Sequence, residues 1–205
     1  MDPIERTMRT YDEIAEEYCE ITEKEGDKKF QEKMIDKTLD FLPSTPRIID
    51  LGCGDGRDTQ YLQKKGADVV GIDISRSMIN LARKKYPECA FIHIDMRDTV
   101  FPDDTFQGAW ASSSISNIPK SELSRVEKEV YRILETSGLF CFSFKVGVKE
   151  GFEEGIVKGY ERYQSYYKLK ELKEKLNLFN IIDSVEYPGE IFGNDFTYCW
   201  AKARK

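Results

Sequence analysis

The chain has 205 residues, 40% of them hydrophobic and 33% charged, with a formal net charge of −6. That length suits a single domain with its own core, and the even composition excludes a disordered or fibrous chain. The acidic balance repels a phosphate backbone, which makes nucleic acid a disfavoured partner. Five cysteines (Cys19, Cys53, Cys89, Cys141 and Cys199) form no C-x-x-C pair and accompany a single histidine, His93. They predict neither a disulfide framework nor a metal site. No apolar run approaches the roughly 20 residues of a membrane span, and the charged start at Met1–Glu5 does not read as a signal peptide. The expectation is a reduced, cytoplasmic protein with no membrane contact and no metal.

Residues 10–20 predict a helix rich in Glu and Tyr. Met34, Ile35, Thr38, Leu39 and Leu42 recur at helical spacing until Pro43 and Pro46 end the segment. A first apolar run, Arg47 to Leu51, reads as a strand, and Arg57 to Lys65 as a short helix closed by Gly66. Asp68 to Ile74 is the second strand. Ser75 is placed to cap a helix that presents Met78, Ile79, Leu81 and Ala82. Ala90 to Ile94 and Gly108 to Ser112 are the third and fourth strands. Ser121 reads as the cap of a helix whose inner side is Leu123, Val126, Val130, Ile133 and Leu134, with Gly138 beyond its end. Leu139 to Phe144 is the fifth strand. From Gly147 to Tyr167 the alternation breaks into an aromatic-rich segment. A helix marked by Leu169, Leu172 and Leu176 follows, then extended runs at Ile181 to Tyr187 and Phe196 to Ala201. Nearly continuous apolar strands alternating with helices predict an α/β fold, a mainly parallel sheet and helices on both faces. No linker divides residues 1–205 into two domains.

The most informative run is Ile48-Ile49-Asp50-Leu51-Gly52-Cys53-Gly54-Asp55-Gly56. An apolar strand ends in an acid, and three alternate glycines then lead into a helix. Glycine permits the sharp turn and lets a ligand approach the main chain. In open α/β sheets ligands bind beyond the carboxyl ends of the strands, where strand order reverses. Asp73 ends the second strand 21 positions after Gly52, where an acid can accept both ribose hydroxyls. Asp95 ends the third strand at the same sheet edge. Three carboxylates crowded on one edge repel unless a ligand or donors offset them, which points to a ligand site rather than packing.

These motifs, D-L-G-C-G-D-G, G-I-D-I-S and H-I-D-M-R-D-T-V-F-P-D-D-T-F in that order, resemble those of the class I S-adenosylmethionine-dependent methyltransferases. The likeness covers about Tyr11 to Lys145. It implies a Rossmann-like sheet of seven strands, order 3-2-1-4-5-7-6, with strand 7 antiparallel. It also implies S-adenosylmethionine as methyl donor, S-adenosylhomocysteine as product and a small-molecule acceptor. The implied cofactor contacts are Gly52, Cys53, Gly54 and Gly56 along the methionine, with Asp50 at its amino group. Asp73 would hold the ribose, and Ile74 would pack on the adenine. Asp95 and the Met96 amide would read the adenine edge, and Ala111 and Ser112 would flank the methionine amine. Tyr11 and Tyr18 resemble residues of an N-terminal helix that closes over the cofactor, within a cap spanning 1–45, and Arg57 would reach the methionine carboxylate.

Many members of this family carry His after the fourth strand, where this chain has Ser114-Ile115-Ser116-Asn117-Ile118-Pro119. Asn cannot act as a base at neutral pH, so Asn117 either orients an acceptor or caps the turn before Pro119. His93 sits mid-strand and reads as a core or rim residue. The segment 147–167 is a candidate substrate lid, with Tyr163 or Tyr166 touching the acceptor; ordinary packing of a long loop is the other reading. Three further functions compete. A nicotinamide-dependent oxidoreductase would favour G-x-G-x-x-G over the G-x-G-x-G found here. A nucleic-acid methyltransferase would show a Pro-Pro-aromatic run that Asn117-Ile118-Pro119-Lys120 lacks. A non-catalytic S-adenosylmethionine-binding module would need no base. The sequence does not define oligomeric state.

Overall fold

Apolar runs pair as strands and helix-period segments pack over them in the computed structural model, which describes residues 2–188 and 195–205. Two helices come first, α1 (Pro3–Glu25) and α2 (Lys28–Leu39). The alternating core follows: β1 (Arg47–Leu51), α3 (Arg57–Lys64), β2 (Asp68–Asp73), α4 (Arg76–Lys85), β3 (Ala90–His93) and β4 (Phe106–Ala111). A 3-10 turn at Ile115–Asn117 leads to α5 (Leu123–Ile133) and β5 (Leu134–Val146). The rest comprises β6 (Glu150–Glu154), β7 (Glu161–Tyr167), α6 (Leu169–Lys175), β8 (Phe179–Tyr187) and β9 (Phe196–Ala203).

The main sheet runs β3-β2-β1-β4-β5-β9-β8. The first five strands are parallel, and β9 is antiparallel to both β5 and β8. Counting β8 and β9 as the sixth and seventh strands, this is the expected order. Asp50 lies between Gly71 of β2 and Trp110 of β4, so β1 is central and its carboxyl end sits where the order reverses.

Successive residues of β1 serve opposite faces of the sheet. Ile49 and Leu51 join Phe106, Phe140, Phe142 and Phe144 beneath Val126, Val130 and Ile133 of α5. Ile48 joins Trp110, Cys141 and Trp200 beneath Met34 and Ile35 of α2. Strands buried on both faces must be apolar at every position, which explains their near-continuous runs. The buried Trp200 ring nitrogen is satisfied by Thr38 Oγ1 at 2.8 Å.

Three expectations are corrected. Residues 147–167 are not an irregular loop. They contain the β6–β7 hairpin, in which Phe152 faces Tyr163, and β7 pairs with the end of β5 through Lys145–Tyr166 and Val146–Tyr167. The interleaved Glu and Arg residues masked the alternation of an edge hairpin. Nor does Ser121 cap α5, whose N-terminal neighbour is Glu122 with no side-chain cap. Gly138 does not end that helix either: β5 starts directly at Leu134, and residues 135–138 bulge between the Phe106–Leu134 and Gly108–Leu139 pairs, with Ser137 left-handed at φ 60°.

Helix α1 bridges the carboxyl edge. On one side Ala15 and Cys19 pack on Met78 of α4. On the other, Thr10 Oγ1 donates to the Glu161 carbonyl at 2.9 Å, and the Tyr163 amide donates to Thr7 Oγ1 at 3.0 Å.

Candidate functional site

The β1–α3 loop turns through three left-handed glycines, Gly52 (φ 75°), Gly54 (φ 55°) and Gly56 (φ 86°). Each has a different reason to be glycine. A Cβ on Gly52 would lie 2.5 Å from the Ser114 Cβ, and one on Gly56 would lie 2.5 Å from the Phe91 ring. A Cβ on Gly54 would meet nothing within 4 Å, so that side of its backbone faces open space. That space is a cavity of about 430 Å³ along the carboxyl edge. Tyr11, Tyr18, Asp50, Gly52, Cys53, Gly54, Arg57, Asp73, Ile74, Asp95, Met96 and Ser112 all line it, as does Asn117. Gly56 and Ala111 do not; Gly56 packs on Phe91, and Ala111 is fully buried in the core. His93 is exposed and pairs through Nε2 with the Ile74 carbonyl at 2.8 Å, a rim position.

The three strand-end acids are each held in place. Asp73 accepts from the Gly54 amide at 3.0 Å and the Ser75 amide at 2.8 Å, fixing both the loop and the start of α4. Burial nevertheless raises its pKa above the usual carboxylate value. Asp95 is gripped by Arg97, with Nε at 2.9 Å and Nη2 at 2.6 Å from Oδ2. Asp50 is 2% exposed and accepts from Thr59 Oγ1 at 2.6 Å. Burial, then the nearby Asp58 carboxylate, push Asp50 well above the carboxylate range.

Beneath the loop lies a polar cluster that the sequence does not announce. Gln31 of α2 donates to Asp58 Oδ2 at 2.5 Å and to Ser112 Oγ at 2.7 Å. Tyr198 of β9 donates to Gln31 Oε1 at 2.5 Å and shares a hydrogen bond with Ser112 at 2.9 Å. Trp110 Nε1 also reaches Asp58, at 3.0 Å. The cluster joins residues far apart in sequence, each of an ordinary polar or aromatic type, so spacing carries no sign of it.

The cavity continues beneath α1 and the hairpin. Asn117 Oδ1 accepts from Gln164 Nε2 at 2.6 Å and from Tyr11 Oη at 3.4 Å, while its Nδ2 donates to the Ser113 carbonyl at 3.2 Å. From β7 it is Arg162 and Gln164 that line the cavity; Tyr163 and Tyr166 do not. Tyr163 stacks edge-on against Phe152, and Tyr166 donates to Glu153 at 2.7 Å. Lys145 also lines the space, its pKa lowered by burial despite Glu153 at 3.1 Å. Cys19 faces it as well, but burial pushes that thiol up to about 12, which leaves it neutral and a poor nucleophile. Among the described residues, no cluster of three or more His, Cys, Asp or Glu could hold a metal ion. No helix among them is long and apolar enough to cross a membrane.

A parallel sheet with reversal at β1, a left-handed glycine loop there and acids closing three successive strands define a Rossmann-like nucleotide-site domain of the methyltransferase type. Residues 48–138 match the family model described as a methyltransferase domain, and the chain is similar to the class I S-adenosylmethionine-dependent methyltransferases. A Bacillus subtilis relative named as methyltransferase YqeM is 33% identical over 114 residues, covering 51% of this chain and 46% of that one. The demethylmenaquinone methyltransferase of Thermotoga maritima is 28% identical over 136 residues, covering 64% and 58%. The chain's matches span about half the length of the first of these curated relatives. Among solved structures, the Burkholderia thailandensis 1,6-didemethyltoxoflavin-N1-methyltransferase, with its substrate and S-adenosylhomocysteine bound, superposes with a TM-score of 0.80. It is 17% identical, and the match covers 100% of this chain and 92% of that one, a likeness of fold.

Proposed function

We propose that the protein transfers the methyl group of S-adenosylmethionine to a small-molecule acceptor. One observation carries this reading: the glycine loop, Asp73 and Asp95 line the same cavity that extends to the polar wall of α1 and the hairpin. The cavity suits the donor on two local counts. Gly54 leaves open the volume a side chain would fill, and Ser114 Oγ, beside Gly52, is buried without a hydrogen-bond partner.

In this reading the backbone from Gly52 to Asp55 and the Arg57 side chain take the methionine portion. Ser112 and Asp50 lie at its amino end, Asp73 accepts from the ribose, and Ile74, Asp95 and Met96 receive the adenine. When bound, the sulfonium supplies a methyl group already activated for attack, so the protein's task is alignment and exclusion of water. Helix α1, through Tyr11 and Tyr18, covers the cavity and excludes solvent. Asn117, fixed by Gln164 and Ser113, orients the acceptor. Tyr163 and Tyr166 act through the hairpin's packing. The protein works in the reduced cytoplasm on a soluble substrate, without a metal.

Calorimetry with S-adenosylhomocysteine and with NAD tests the donor. Micromolar binding of the former and none of the latter is expected, and Asp73→Ala should weaken it about ten-fold or more, the cost of losing a charged hydrogen-bond acceptor. NAD binding without a response to S-adenosylhomocysteine would overturn the reading. Transfer of labelled methyl from the donor to added small molecules separates an enzyme from a binding module.

A further inference from the structure

Strand β7 brings into the cavity a cation that its own chain does not neutralise. Arg162 is 8% exposed, yet it forms no ion pair among the described residues. Its Nη1 donates to Tyr11 Oη at 2.6 Å, and its Nε is buried with no hydrogen-bond partner. The rings of Tyr11 and Tyr18 flank the guanidinium at 5.2 and 5.1 Å. Ring faces offset part of a positive charge but carry none of the opposite sign, and burial raises the Tyr11 pKa, keeping that phenol neutral.

The hairpin's own acids are engaged elsewhere. Glu153 pairs with Lys145 at 3.1 Å and Lys149 at 2.9 Å, and Glu154 accepts from the Gly159 amide at 2.7 Å. Gly155 closes over the guanidinium edge, since a Cβ there would lie 2.7 Å from Nε. Two residues along the strand, on the same face, Gln164 is 3% exposed and also lines the cavity. A buried charge is tolerated when something of opposite sign completes it, and a guanidinium's planar fork matches a carboxylate.

We propose that the methyl acceptor carries a carboxylate, bound by Arg162, with Gln164 and Asn117 positioning the neighbouring part of the molecule. This rests on the reading of the cavity as a methyl-transfer site. It makes Arg162 a specificity-determining residue and selects anionic small molecules over their neutral isosteres.

The test uses the full chain loaded with S-adenosylhomocysteine, titrated by calorimetry with glutarate and benzoate, with their neutral counterparts glutaramide and benzamide, and with inorganic phosphate. At least one carboxylate is expected to bind about ten-fold tighter than its amide, the scale of a charged hydrogen bond. Arg162→Gln should abolish that preference, and Arg162→Lys should keep part of it. If Arg162→Gln does not fold, the wild-type comparison and the lysine variant decide. Equal binding of acid and amide, no carboxylate binding, binding of phosphate alone, or a preference that survives in Arg162→Gln would each overturn the proposal. Failure of the wild-type chain to bind S-adenosylhomocysteine would instead overturn the methyl-transfer reading on which it stands.

Discussion

Asp12 of α1 and Ser75 at the start of α4 are joined by a 2.7 Å hydrogen bond from the serine hydroxyl, and the same carboxylate oxygen accepts the Ser77 amide at 2.9 Å. Ser75 in turn donates its amide to Asp73 at 2.8 Å and caps Met78 through Oγ at 3.2 Å. One serine thus links the covering helix, the α4 cap and the acid at the end of β2.

That linkage predicts the behaviour of Asp12→Ala. Losing two hydrogen bonds to a carboxylate loosens α1 without touching the sheet, so S-adenosylhomocysteine affinity should fall about ten-fold. Amide exchange in α1 should rise while that of β1 and β4 stays unchanged. Unaltered exchange in α1 would show that the helix is held by other contacts.

Gly52 and Gly54 separate strain from occlusion. Gly52→Ala adds a left-handed penalty and a clash with Ser114, and should destabilise the fold by about 2 kcal/mol or more. Gly54→Ala carries the backbone penalty alone, about 1–2 kcal/mol, but places a methyl group in the cavity. Thermal melts should rank Gly52→Ala as the less stable, while calorimetry on Gly54→Ala should show impaired cofactor binding by a folded chain. Normal binding by Gly54→Ala would remove the loop from the cofactor's path.

Asp50 makes stability depend on pH. Its folded pKa is raised by burial and by Asp58, so the native state holds a proton that the unfolded chain has released. Its contribution is therefore fully present below the ordinary carboxylate pKa and is lost as pH rises through the folded value. Asp73 is raised in the same direction. In Asp50→Asn the amide oxygen can still accept from Thr59, and the pH-dependent contribution disappears. Urea denaturation at pH 5 and pH 8 should show wild-type stability declining more over that interval than the variant's. Parallel profiles would mean that Asp50 is not protonated more readily in the fold.

Tyr198→Phe tests the cluster under the loop. The hydroxyl donates to Gln31 and meets Ser112, so its loss frees the glutamine carbonyl and should cost about 1 kcal/mol of stability. Gln31 would then orient Asp58 and Ser112 less firmly, and S-adenosylhomocysteine should bind several-fold more weakly. An unchanged melting temperature and affinity would make the cluster incidental to the site.

Much of this molecule was legible in its sequence because the information was local. Apolar runs buried on both faces named the strands, and alternate glycines at φ-positive positions named the loop. Acids at the ends of β1, β2 and β3 fell on one edge because parallel strands share their direction. Where local pattern failed, pairing partners had decided: the β6–β7 hairpin is set by its register with the end of β5, and the start of β5 by its bulge against Phe106. The roles of side chains required the tertiary structure for the same reason. Asp73, Asp95 and the glycines are recognisable by position along one strand–loop–helix run. By contrast, Gln31, Asp58, Ser112 and Tyr198 meet only when α2, α3, β4 and β9 pack together. On β7, the tyrosines drew notice by composition, but strand orientation and packing left Tyr163 and Tyr166 out of the cavity lining and brought Arg162 and Gln164 into it. The sequence by itself determined where a nucleotide-like donor would lie, through backbone geometry encoded in consecutive residues. Only the folded arrangement decided which charges line the cavity, because burial and the absence of a partner are properties of the assembled cavity.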